Sequence, residues 1–139
     1  GKLVQPYVVD RIIEPDGSVT QTQSKVVGQV ISPKTSKQVG GMLVSVVQNG
    51  HAGAAKVEDY LVAGKTGTAQ VPDFERGGDS DQTIHSFVGY APFDDPRFVM
   101  LVKLDNVKNT PFSSGSAAPI FGKVAKFILN YYEVPPSIK

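Results

Sequence analysis

The chain has 139 residues, of which 40% are hydrophobic, and its formal net charge is +1. This length and hydrophobic content suit one domain with one core, and a balanced charge argues against a nucleic-acid-binding surface. The lack of cysteine and the presence of only two histidines argue against a thiolate or histidine metal site. No cofactor is predicted, and no apolar run approaches the ~20 residues of a membrane-spanning helix.

Residues 1–31 are predicted to form a hairpin region, whose first residues already resemble the approach to a strand. The segments YVVDRII (7–13) and VTQTQSKVV (19–27) are rich in β-branched residues, and EPDGS between them supplies the residues of a tight turn. This pattern predicts two antiparallel strands with the turn at Asp16-Gly17.

A helix is predicted over residues 33–49. Ser32 suits the capping position before the helix, and Pro33 suits its first position because the proline φ angle is already helical. Apolar residues then recur with helical spacing at Val39, Met42, Leu43, Val46 and Val47. The adjacent glycines Gly40 and Gly41 weaken the middle of this helix and indicate close packing.

Residues 61–132 are predicted to form three strands and a second helix. The strands cover residues 61–71, 84–92 and 97–106. A polar loop is expected at 72–83 and a tight turn at 94–96, which makes the last two strands antiparallel neighbours. A further loop at 107–115 leads to an amphipathic helix over 116–132. The predicted fold class is therefore α/β, of the α+β type: an antiparallel three-stranded meander packed with two amphipathic helices, plus the N-terminal hairpin.

The stretch LVAGKTGTAQV, in the first of these three strands, places a lysine and two threonines around a glycine. A phosphate-binding loop would require glycine where this chain has Asp59. An edge-strand lysine that prevents aggregation is one interpretation of Lys65, but Thr66, Gly67 and Thr68 beside it favour a ligand site. Strand alternation puts Lys65 and Gly67 on one face and the threonines on the other. Only a ligand along the free strand edge would meet all four, which predicts an extended peptide with a negative charge.

A family resemblance rests on longer segments. AGKTGTAQ, followed by HSFVGYAPFDDPRFVMLVKLDN and then by SAAPIFGKVAKFILNYYEVPP, resembles the C-terminal part of penicillin-binding proteins, in particular the class B, monofunctional peptidoglycan D,D-transpeptidases. K-T-G is one of the three signatures that these proteins share with β-lactamases. The resemblance covers nearly the whole chain from Ser32, whereas the hairpin region fits it more loosely. It implies the serine β-lactamase/penicillin-binding transpeptidase fold.

The resemblance also implies roles for four residues. Lys65 would be the catalytic lysine of K-T-G, which keeps the cleft positive and helps proton transfer. Thr66 and Thr68 would bind the carboxylate of the D-Ala-D-Ala stem peptide or of a β-lactam, and the Thr68 N–H would be an oxyanion-hole donor. Gly67 would leave room for the acyl group. The implied setting is the extracytoplasmic face of the bacterial membrane, with an N-terminal anchor helix and with other cell-wall synthesis proteins as partners.

Two motifs of the family are missing. No serine has lysine three positions later or asparagine two positions later, so neither S-x-x-K, which carries the acylated serine, nor S-x-N is present. We therefore expect residues 1–139 to be the C-terminal portion of a transpeptidase domain, inactive alone, with the nucleophile and the remainder of the domain upstream. The alternatives are a serine β-lactamase or D,D-carboxypeptidase of the same fold, and a non-catalytic β-lactam- or peptide-binding module.

Two further features have a structural and a functional interpretation. His85 could act as a general base, but an ordinary strand residue near the cleft is favoured because the family's chemistry uses serine and lysine. The acidic residues of the polar loop could bind a cation or touch substrate, and a solvated loop at the cleft mouth is favoured.

Overall fold

The computed structural model describes residues 1–138. By internal contacts the chain divides into two compact units, Gly1–Gln38 and a second unit that starts at Val39. None of the helices in the described part of the chain has the length and apolar character needed to span a bilayer.

The first unit contains two small antiparallel sheets of two strands each. The strands are β1 (Lys2–Val4), β2 (Arg11–Ile13), β3 (Val19–Gln21) and β4 (Val26–Gln29). β2 pairs with β3, and β1 pairs with β4. Nearly all of these strand residues are exposed, so backbone hydrogen bonds rather than a buried face define the pairing.

The predicted turn at Asp16-Gly17 is present between β2 and β3. Gly17 has a φ of 83°, which favours glycine, and the Ser18 N–H donates to Asp16 Oδ1 at 2.9 Å. Hydrogen bonding from the Ser18 hydroxyl and then from its N–H holds the pKa of Asp16 below its ordinary value of 3.8.

The hairpin itself is shorter than predicted. Residues 7–10 lie outside any strand, and Val26 and Val27 belong to β4 rather than to the hairpin strand. β-Branched residues favour extended backbone whether or not it is paired. Composition alone therefore does not distinguish a paired strand from an unpaired extended segment, and it does not show which strand pairs with which.

Helix α1 (Pro33–Gln48) confirms the first helix prediction. The Thr35 N–H donates to Ser32 Oγ at 3.0 Å, which is the capping bond expected of a serine before the first turn. Close packing is confirmed at Gly40, where a Cβ would lie 2.6 Å from Phe93 Cε2, but not at Gly41, where nothing lies within 4 Å.

The second unit is built around an antiparallel three-stranded sheet in the order β5-β6-β7. Its strands are β5 (Ala63–Pro72), β6 (Asp79–Ala91) and β7 (Phe98–Asp105). The second helix, α2, spans Ala117–Tyr131. The predicted meander and second helix are confirmed. Short 3-10 helices form at Gly53–Ala55, between α1 and β5, and at Ser113–Gly115, within the loop predicted for 107–115.

The core of this unit lies between α2 and one face of the sheet. Phe121 of α2 and Phe87 of β6 are fully buried, and their ring centroids are 4.7 Å apart. Phe98 of β7 lies 6.4 Å from Phe121. Small residues on the same side of α2, among them Ala118 and Ala125, let the helix approach the sheet.

The predicted polar loop at 72–83 is wrong at both ends, because Pro72 belongs to β5 and residues 79–83 belong to β6. Gln70 pairs with Thr83 and Pro72 pairs with Asp79, with a bulge between them. The hairpin loop is thereby reduced to residues 73–78. These strand ends are polar because both faces are exposed there, so they carry no hydrophobic alternation from which a strand could be predicted.

Candidate functional site

The stretch Lys65–Thr68 lies in β5, an edge strand of the sheet. β5 pairs with β6 on one side, and no strand within residues 1–138 pairs with its other side. Lys65 and Thr68 are exposed, while Thr66 and Gly67 are half-buried. An extended ligand could therefore bind along this edge through backbone hydrogen bonds.

The register of β5 and β6 defines the two faces of the site. Thr66 lies opposite Phe87 and Thr68 lies opposite His85, and both of these partners are fully buried. Cross-strand partners share a face, so the two threonines project on the side covered by α2. Lys65 and Gly67 project on the other, more open face, as strand alternation predicted.

The Lys65 side chain nevertheless reaches Thr66. Its Nζ donates to the Thr66 carbonyl oxygen at 3.0 Å and lies 3.4 Å from Thr66 Oγ1. Neither of the two salt bridges in residues 1–138 includes Lys65. An ammonium group and a hydroxyl group from opposite faces of the strand are thus close together without a carboxylate partner, which suits them to bind an anion.

Gly67 has a packing role inside the sheet. A Cβ at this position would lie 2.6 Å from Ser86 Oγ, the hydroxyl of its cross-strand partner, which donates to the Gly67 carbonyl at 3.5 Å. The side chain of Ser86 therefore occupies the space that a larger residue at position 67 would need.

Thr68 has a partner that the sequence did not indicate. Its Oγ1 lies 3.1 Å from Ser113 Oγ, and it accepts a hydrogen bond from the Ser113 N–H at 3.3 Å. Ser113 begins the 3-10 helix Ser113–Gly115 within a segment predicted as a loop. The only signal in the sequence is the serine-rich SSGS before α2, which does not specify the contact.

His85 is buried and has a hydrogen-bond partner at each ring nitrogen. Nδ1 lies 2.8 Å from Ser116 Oγ, and Nε2 lies 3.2 Å from Thr83 Oγ1. Its exposed fraction is 0%. These contacts support a structural role rather than that of a general base, which would need access to a substrate proton.

The acidic hairpin loop shows no metal site. Asp73 Oδ1 accepts hydrogen bonds from the N–H groups of Glu75 and Arg76, so this carboxylate stabilises the turn. Nowhere in residues 1–138 do three or more histidine, cysteine or acidic side chains come close enough to hold a metal ion.

Comparison with known proteins gives consistent matches. The family model "Penicillin binding protein transpeptidase domain" matches residues 1–126. Stage V sporulation protein D of Bacillus subtilis is 40% identical over 98% of this chain and 21% of its own length. Penicillin-binding protein PbpB of Mycolicibacterium smegmatis is 37% identical over 99% of this chain and 23% of its own length.

A solved structure is similar over the same range. Penicillin-binding protein 3 of Mycobacterium tuberculosis, determined in complex with ampicillin, superposes with a TM-score of 0.88 at 34% identity, covering 100% of this chain and 33% of the solved chain. The chain thus spans between about a fifth and a third of the length of these relatives.

Proposed function

The chain belongs to the penicillin-binding protein transpeptidase family, and from this membership we propose that it carries the carboxylate-binding strand of a peptidoglycan D,D-transpeptidase. The observation that carries the proposal is the approach of Lys65 Nζ to Thr66 Oγ1, 3.4 Å apart, on an edge strand. The proposed ligands are the D-Ala-D-Ala end of a stem peptide and β-lactams, both of which present a carboxylate beside a reactive carbonyl.

Each residue of the strand has a role in this proposal. Lys65 supplies positive charge, and the hydroxyls of Thr66 and Thr68 donate to the carboxylate. The Thr68 N–H stabilises the oxyanion that forms on the attacked carbonyl, a contact whose loss typically lowers the rate about 10²- to 10³-fold. Backbone groups of β5 hold the extended ligand in register.

The proposed reaction is acyl transfer by a serine elsewhere in the protein. The serine oxygen attacks the carbonyl between the two D-alanines, the terminal D-alanine leaves with a proton, and an acyl ester remains. An amine of a second stem peptide then attacks the ester, which forms the cross-link and regenerates the serine. A β-lactam acylates the same serine by opening its ring and stays attached.

The proposal extends to the surroundings of the chain. We place the reaction outside the cytoplasmic membrane, with the protein anchored by a helix that is not part of this chain and working with other cell-wall synthesis proteins. The remainder of the transpeptidase domain would pack against this chain. The sheet face that carries Lys65 also exposes Val88, Val99 and Leu101, which suits such a contact.

Fluorescent penicillin provides the test, applied to the full-length protein and to residues 1–139 alone. We expect covalent labelling of the full-length protein only. In that protein, Lys65→Ala should lower the second-order acylation rate about 10- to 100-fold, because a charge-assisted contact is lost.

The matched control is Lys103→Ala. Lys103 pairs with Ser86, the partner of Gly67, so this variant removes the same charge from the same sheet face two strands away. Its acylation rate should equal that of the wild type. Labelling of residues 1–139 alone, or unchanged acylation of Lys65→Ala, would contradict the proposal.

A further inference from the structure

We propose that Ser113 is a positioning residue that orients the Thr68 hydroxyl, so that the Thr68 proton is free to donate to the ligand carboxylate. This inference rests on the proposed function, in which Thr68 binds that carboxylate. The two residues are 45 positions apart in the chain, and Ser113 lies outside the K-T-G motif.

The hydrogen-bonding capacity of the two hydroxyls limits how their protons can be arranged. A threonine hydroxyl has one proton to donate and can accept two hydrogen bonds. The Ser113 N–H already donates to Thr68 Oγ1 at 3.3 Å. The two hydroxyl oxygens are 3.1 Å apart, and either could be the donor. The favoured arrangement is the one that leaves no buried hydrogen-bond donor without an acceptor.

If Thr68 donated to Ser113, the Ser113 proton would need another acceptor. Within residues 1–138, the Ser113 hydroxyl has one hydrogen-bond partner, which is Thr68 Oγ1. Ser113 is 1% exposed, so solvent cannot take that place. A buried donor without an acceptor is strongly unfavourable, and the arrangement with Thr68 as donor is therefore disfavoured.

In the opposite arrangement every group is satisfied. Ser113 donates to Thr68 through both its N–H and its O–H, which fills the two acceptor positions of the Thr68 oxygen. The Thr68 proton then points away from Ser113. Thr68 itself is exposed, so this proton is available to a ligand at the strand edge.

The turn that carries Ser113 is attached to the sheet at a second point. Ser116, at the other end of this turn, lies 2.8 Å from His85 Nδ1 through its hydroxyl and makes no side-chain capping bond to α2. His85 is the cross-strand partner of Thr68. One turn therefore contacts both members of one cross-strand pair, which restricts the position of Ser113 relative to Thr68.

The test measures acylation of the full-length protein by a penicillin and by the methyl ester of the same penicillin. Ser113→Ala removes the hydroxyl donor, and we expect its second-order rate with the carboxylate form to fall about three- to tenfold. With the ester, which lacks the negative charge that Thr68 recognises, the variant and the wild type should react equally. Ser113→Cys, with a weaker donor of similar size, should give an intermediate rate.

A double-mutant cycle with Thr68→Val separates positioning from general packing. If Ser113 acts through the Thr68 hydroxyl, Ser113→Ala should cause no further loss in the Thr68→Val background. Ser114→Ala, in the same turn, is the matched control and should react like the wild type.

Three results would overturn the inference: an unchanged rate of Ser113→Ala with the acid, equal losses with the acid and the ester, or additive losses in the double variant. An unlabelled wild-type protein would instead contradict the proposed function itself, so the two failures are distinguishable.

Discussion

Gly64, the residue before the Lys65–Thr68 stretch, determines how closely β5 and β6 can pack. A Cβ on Gly64 would lie 2.4 Å from Phe87 Cζ and 2.7 Å from its Cε1. The Phe87 ring is fully buried and also packs against Phe121, so it cannot move aside cheaply. The glycine thus keeps the aromatic core directly beneath the start of the candidate site.

We expect Gly64→Ala to lower the free energy of unfolding by about 1–3 kcal/mol because the added methyl overpacks the core. The matched control is Gly41→Ala in α1, where a Cβ would meet nothing within 4 Å and where alanine is about 0.5–1 kcal/mol better than glycine in a helix. Urea unfolding of the two variants measures both effects. A Gly64→Ala protein as stable as Gly41→Ala would show that the Phe87 ring can reposition.

Among the secondary structure elements, α2 makes the main contribution to the core of the second unit. Its buried side carries Phe121 and Leu129 together with small residues, while Phe127 projects outward and is 67% exposed. The helix therefore carries two phenylalanines, one buried and one exposed, whose contributions to stability can be compared.

Phe121→Ala should lower the free energy of unfolding by about 3–5 kcal/mol, since it leaves a cavity beside Phe87 and Phe98. Phe127→Ala, the control, deletes the same side chain from the exposed side and should cost far less. The thermal midpoints of the two variants provide the comparison. Equal shifts would mean that α2 is turned differently on the sheet.

The β2–β3 hairpin is expected to respond to acid through its turn. Because the folded pKa of Asp16 lies below 3.8, its carboxylate stabilises the turn above that pH, and this contribution is lost as the pH falls through the folded pKa. NMR titration of the Asp16 carboxyl should give a value below 3.8 that rises in Ser18→Ala, which removes the hydroxyl. A pKa at or above 3.8 in the wild type would rule out the turn contact.

At the scale of the whole molecule, the exposed apolar surface determines how the chain is expected to behave when it is expressed alone. Large side chains are exposed on several elements of the second unit, among them Met42 (67%), Val99 (74%) and Leu101 (63%). Val99 and Leu101 lie two positions apart in β7 and so share one sheet face, and a contiguous apolar patch of this kind marks a contact with other protein. In the proposed function, the remainder of the transpeptidase domain covers it.

Residues 1–139 expressed alone are therefore expected to be marginally stable and to self-associate. Sedimentation velocity at several concentrations should show species larger than the monomer, and the melting temperature should depend on concentration. A sharp, reversible and concentration-independent melt of a monomer would contradict this expectation.

The sequence by itself determined the features whose signals are local. The capping serine and the apolar spacing of α1, the tight turn at Asp16-Gly17, the order of the three-stranded meander and the Lys65–Thr68 stretch all depend on residues close together in the chain. Strand alternation also assigned the faces of β5 correctly, because side chains in a strand have a period of two.

The tertiary structure alone decided the contacts between distant segments. The Ser113–Thr68 pair spans 45 positions and the His85–Ser116 pair spans 31, and no periodicity or turn motif encodes such a pairing. The extension of β6 back to Asp79 likewise depends on its pairing with β5. The exposed polar residues there have no strong strand preference of their own and are extended because β5 lies beside them. Local chemistry therefore specified which residues could form the candidate site, and packing decided which hydroxyl groups lie beside them.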